Sequence, residues 1–194
     1  MATRLASFDL TAIGEPGDEL RYDVTRAAMR AYAEATDDAL GGPVFAIVPA
    51  WKTIAPASRS VASGDIRRFV VHYEQDMRLH RPITVGMTLV SRATPVALLP
   101  RPNGTSLVIK TDTRSEDGEL VNEQYVTEFF RGVEADATVG ERAPDHRLAV
   151  DGAEPATEIT YPVAPDQTVR YAAASGDDFA IHLDDEFARW ELTE

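Results

Sequence analysis

A chain of 194 residues with 44% hydrophobic and 26% charged side chains can bury a core, which excludes disorder as the default and suits one domain, or one domain and part of another. Acidic residues outnumber basic ones 32 to 19, for a formal net charge of −13; a nucleic-acid surface needs clustered Lys and Arg, so this balance argues against one and reads mainly as solubility. No cysteine is present, which removes disulfides, thiolate-held metals and thiol nucleophiles; no apolar run reaches membrane-spanning length, and Met1–Ala6 lacks the hydrophobic centre of a signal peptide, so the chain reads as soluble and cytoplasmic.

Leu20–Val24 alternates apolar and polar residues as a short strand does. Thr25 is placed to cap a helix whose apolar side is Ala28, Met29, Tyr32 and Ala35, and the Asp/Gly/Pro run from Asp37 to Pro43 breaks it. Val44 to Ile54 is apolar on every side, the composition of a helix buried all round, although Pro49 should disturb its first turns. An Ala/Ser/Gly-rich bridge at 55–64 follows, and the pattern then turns strand-like: Phe69–Met77, Met87–Leu99, Ser106–Arg114 and Leu120–Arg131. Glycines in the turns Arg101–Gly104 and Ser115–Gly118 mark hairpins, so neighbouring strands run antiparallel. One apolar helix followed by long antiparallel strands is an α+β arrangement in which a sheet wraps a helix, the hotdog fold.

The segment 133–160, rich in Ala, Glu, Asp, Gly and Pro, reads as a linker, after which an earlier pattern returns. Tyr22, Val24, Tyr32, Ala33, Ala35 and Asp38 recur 139 positions later as Tyr161, Val163, Tyr171, Ala172, Ala174 and Asp177, with Thr36 matched by Ser175. A helix is expected from Gln167 or Thr168 to Ala174, ended by Gly176, and Asp184 should cap a further turn. The second copy continues to His182, whereas Pro43 stands at that position in the first. Asp177 and His182, five positions apart, cannot share a helical face and must converge from a loop. A histidine can exchange a proton near neutral pH and a carboxylate beside it can orient it or share a water, a pairing suited to adding water to an activated double bond or removing it. At this offset the second copy would run well beyond Glu194, so the chain is expected to carry one complete copy and the start of another.

The string Tyr171-Ala172, Ser175-Gly176-Asp177, Ile181-His182, Asp184 and Ala188 resembles the hydratase motif of MaoC-like dehydratases, also called R-specific enoyl-CoA hydratases. Upstream, Tyr32–Thr36, His72–Pro82, Val85–Leu89 and Gly118–Val121 resemble the non-catalytic hotdog of the two-hotdog members. The resemblance implies a non-catalytic hotdog at 1–132, a linker at 133–160 and the beginning of a catalytic hotdog at 161–194. It implies hydration of enoyl thioesters, or dehydration of 3-hydroxyacyl thioesters, on CoA or a carrier, with Asp177 and His182 activating the water and no cofactor or metal. Oxyanion donors would come from the second hotdog's central helix, beyond Glu194, and the partner would be a second copy (a dimer or larger homo-oligomer) or another hotdog subunit. The family often has Asn and Pro before Ile-His, where this chain has Phe179 and Ala180. A non-catalytic hotdog subunit that needs a partner and a hotdog thioesterase remain alternative readings.

Other candidates are weaker. His72 and His80, with Glu74 and Asp76 nearby, read as packing or surface residues rather than a metal site. Ser175 has no nucleophile-elbow sequence around it. Seven acids in 177–194 would repel a CoA phosphate, which points to arginines elsewhere, such as Arg81 or Arg92; Trp51 and Phe45 read as core.

Overall fold

The computed structural model describes residues 8–38, 42–144 and 157–193. Among them run β1 (Leu20–Asp23), α1 (Arg26–Ala35), α2 (Ile47–Val61), β2 (Val70–Leu79), β3 (Thr88–Arg101), β4 (Gly104–Ser115), β5 (Leu120–Arg131), β6 (Val139–Gly140), α3 (Gln167–Ser175) and α4 (Asp185–Thr193). The strands form one antiparallel sheet in the order β1-β3-β4-β5-β2, with β6 also on β3. The two long hairpins turn where the sequence placed glycine. At Gly104 (φ 152) a side chain would collide with the Phe130 carbonyl, so no other residue fits that close approach.

α2 packs on the sheet, chiefly β3 and β4, and between them lies the core: Phe45, Ile54, Val61, Leu89, Leu98, Leu107, Ile109, Val126 and Phe130 are all buried. This is the α+β hotdog arrangement expected from the sequence. A 3₁₀ turn at Pro43–Ala46 precedes α2, so Pro49 falls in the first turn of the helix, where a missing N–H costs least. The buried Gln124 Nε2 donates to the Ala46 carbonyl (2.7 Å) and to Asn122 Oδ1 (2.9 Å), tying the start of α2 to β5. The expected bridge at 55–64 is largely helix instead. α2 continues over Pro56 to Val61 because Ala57, Ser58 and Val61 face the sheet, and their burial outweighs the backbone hydrogen bond that Pro56 cannot make.

The segment read as a linker is partly stitched to the sheet: Val133 enters the core, its carbonyl accepts from Thr105 Oγ1 (2.7 Å), and Val139–Gly140 pair with Ala97 and Leu98. Its stretch 145–156 lies outside the described residues. α3 returns to pack on α1. The rings of Tyr32 and Tyr171, 139 positions apart in the chain, meet with centroids 6.0 Å apart. Arg170 Nη1 donates to the Glu34 carbonyl (2.7 Å) and Gln167 Nε2 to that of Ala35 (3.3 Å), closing the end of α1 with side chains of α3.

Candidate active site

α3 stops at Gly176, which adopts the left-handed conformation (φ 85) while its N–H bonds the Ala172 carbonyl. The turn that follows is fixed by Ser175, buried at 3% exposure. Its hydroxyl donates to the Tyr171 carbonyl (2.8 Å) and accepts from the Asp177 N–H (3.1 Å), so its proton is committed to the backbone and it aims Asp177 instead of acting as a nucleophile. A single 3₁₀ turn then carries Ala180–His182. Beyond it Asp184 Oδ1 accepts from the N–H groups of Glu186 and Phe187 (both 2.9 Å), the cap expected for α4. Phe179 packs edge-on to His182 (6.4 Å) and to Phe187 (6.3 Å), bracing the loop.

This loop brings His182 Nε2 to 3.8 Å from Asp177 Oδ2, with Asp177 at 15% and His182 at 53% side-chain exposure. The gap exceeds a direct hydrogen bond and is one that a water or a substrate oxygen can bridge. The pair stands between two hollows. One, of about 500 Å³, lies between α3 and the end of α1, lined by Thr36, Val163, Thr168 and Tyr171. The other, of about 520 Å³, runs beneath the loop, walled by Trp51, Ile54 and Ala55 of α2 and by Val70, Val71 and His72 of β2. Volumes of this size suit a small-molecule group.

Two residues read as core or surface belong to this second wall. Trp51 is half-buried and its indole lies against the imidazole of His72, centroids 5.9 Å apart and planes 36° apart. A bulge in β2 between His72 and Glu74 sets that edge of the strand. Desolvation holds the His72 imidazole below the usual histidine range, with a hydrogen bond to Gln75 and the Asp177 carboxylate acting the other way. Sequence spacing carried no signal for this: His72 meets the Asp177–His182 loop only because the sheet edge faces it. Phe45 is core, as expected.

The same cavity reaches charged residues. The Glu128 carboxylate accepts from Ser58 Oγ, and Arg67 Nη1 donates to that same oxygen (2.7 Å), with Arg59 adjoining. Burial raises the Glu128 carboxyl above, and lowers the Arg67 guanidinium below, their ordinary values. By contrast Arg81 and Arg92 lie away from both hollows, in exposed ion pairs with Glu119 and Glu19. His80 pairs with Glu123 (3.0 Å). Among the described residues no three His, Asp or Glu side chains are grouped to hold a metal ion, and no helix is long and apolar enough to cross a membrane.

Comparison with known proteins bears on this geometry. A family model for the MFE-2 hydratase 2 N-terminal domain matches residues 25–132. No curated protein matches the chain in sequence. Among solved structures, a MaoC-like dehydratase from Phytophthora capsici superposes with a TM-score of 0.77 at 17% identity, over 92% of this chain and 68% of that protein. HtdX of Mycobacterium tuberculosis gives 0.63 at 19% identity, over 90% and 67%. The peroxisomal multifunctional enzyme type 2 of Drosophila melanogaster gives 0.61 at 19%, over 89% of this chain and 32% of that one. At these identities the likeness establishes the hotdog fold. The family match covers more than half of the chain, which therefore belongs to the MFE-2 hydratase 2 N-terminal domain family.

Proposed function

We propose that the chain takes part in the hydration of enoyl thioesters, or the reverse dehydration of 3-hydroxyacyl thioesters, with Asp177 and His182 as the acid/base pair. The observation that carries this reading is the pair's position: a carboxylate and an imidazole 3.8 Å apart, at the mouth of a cavity walled by α2 and β2. A water held between them loses a proton to the pair as its oxygen bonds to carbon 3. Carbon 2 takes a proton in return, and in the reverse direction the 3-hydroxyl leaves as water. Charge that develops on the thioester oxygen requires preorganised N–H donors, which the resemblance assigns to the central helix of the second hotdog. The hollow beneath the loop would take the acyl part, with the thioester carried on CoA or a carrier and no further cofactor.

Hydration removes the conjugated absorbance of crotonyl-CoA or a longer enoyl-CoA. Asp177→Ala and His182→Ala are each expected to lower the rate by about 10²–10⁴-fold; full activity in the double variant would overturn the assignment. Release of free thiol with the absorbance change absent would favour a thioesterase. A second reading, a hotdog subunit that works with a partner chain or a second copy, is favoured by the exposure of Tyr161, Val163 and Val169 (71%, 77% and 57%). Sedimentation of the isolated chain as a monomer at micromolar concentration would count against it.

A further inference from the structure

The hollow beneath the Asp177–His182 loop is not uniformly apolar. β2 and β5 are paired so that His72 lies opposite Glu128, and Glu128 shares its face of β5 with the core residues Val126 and Phe130. That face looks at α2, where Trp51 meets His72 and Ser58 meets Glu128. Trp51 and Ser58 are about two helical turns apart, or about 10 Å. The wall therefore passes from the Trp51–His72 stack, across Ile54 and Ala55, to a charged floor formed by Arg59, Arg67 and Glu128.

That floor holds two guanidiniums against one carboxylate. Among the described residues the Arg67 side chain has one hydrogen-bond acceptor, Ser58 Oγ, whereas a guanidinium carries five N–H groups. A methyl-ended acyl chain reaching this end would strip water from the half-buried Arg67 guanidinium, with Arg59 exposed beside it, and return nothing. An anionic group would neutralise the excess positive charge and accept two parallel N–H bonds from a guanidinium.

We propose that this cavity selects acyl thioesters whose distal end bears a carboxylate, which Arg67 and Arg59 receive beside the Ser58–Glu128 pair. The proposal rests on the thioester reading above but concerns the other end of the substrate. In it Arg67 and Arg59 are ligand-binding residues, and Glu128 limits the positive charge of the floor.

The test is calorimetric titration of the 194-residue chain with three saturated six-carbon thioesters: hexanoyl-CoA, 6-hydroxyhexanoyl-CoA and adipoyl-CoA. Adipoyl-CoA is expected to bind about ten-fold more tightly than hexanoyl-CoA, with the hydroxyl compound between. Arg67→Met should erase that difference. Glu128→Gln, which keeps size and leaves the positive charge unopposed, should widen it, a sign that a purely structural ion pair would not produce. Equal affinities, tighter binding of hexanoyl-CoA, no binding of any of the three, or a narrowed difference in Glu128→Gln would overturn the proposal. Discrimination that survives replacement of both Asp177 and His182 by Ala would leave this proposal standing whatever becomes of the hydratase reading; hydration of enoyl thioesters without discrimination would do the reverse.

Discussion

Glu128 sets two demands that oppose one another. Burial favours its neutral form, whereas Ser58 and the arginines favour the ion, and the balance leaves its carboxyl above the ordinary range. A group whose pKa is raised by folding holds its proton more tightly in the native state. Its contribution to stability is complete below the unfolded-state value and is lost as pH rises through the native one. Glu128→Gln stays neutral throughout and lacks that loss. Its thermal midpoint relative to the parent is therefore expected to rise as the pH is taken from the acid range toward neutrality, and parallel profiles would refute the upward shift of the Glu128 carboxyl. Asp177 and His182, named from sequence alone, are brought together by one loop, and the activity loss expected on replacing either belongs to this scale as well.

At the scale of elements, α2 is the part whose sequence and structure disagree most. Its apolar first half marked it as a helix, but Pro56 and the small residues after it marked a bridge, and the helix nevertheless runs to Val61. The cause is burial of Ala57, Ser58 and Val61 against the sheet, which local propensity does not register. Pro56→Ala restores the N–H that would bond the Lys52 carbonyl. Proline costs about 3 kcal/mol relative to alanine inside a helix, and part of that returns as lost stiffness of the unfolded chain, worth about 1 kcal/mol. Chemical denaturation is thus expected to show a gain of about 1–2 kcal/mol; a loss of stability would mean that the proline is packed where alanine cannot follow. The strands β3, β4 and β5 were legible for the opposite reason: long strand-like runs and glycine at each turn are local signals that the tertiary contacts reinforce.

For the whole molecule, the contact of α3 with α1 joins the Asp177–His182 loop to the rest of the fold. Tyr171 rests on Tyr32, and the hydrogen bonds from Gln167 and Arg170 end on carbonyls of α1. Tyr171→Ala is expected to speed proteolytic cleavage within 157–193 while leaving the sheet protected. Unchanged protection of that segment would show that the polar contacts alone hold α3. The same arrangement explains why much of the cavity was hidden from sequence reading. Trp51, His72, Arg67 and Glu128 lie far from His182 along the chain and carry no common spacing, so the arginines chosen by charge alone, Arg81 and Arg92, were ones already paired with Glu119 and Glu19.

The sequence by itself determined the local elements and their ends: the Thr25 and Asp184 caps, the left-handed Gly176, the hairpin glycines, and a loop carrying Asp177 and His182. Each follows from backbone chemistry within a few residues. Only the tertiary structure decided what that loop faces. The order of strands sets β2 against β5 at the edge of the sheet, α2 crosses behind them, and a hollow that begins at a tryptophan and ends on two arginines results from packing among segments that no local pattern connects.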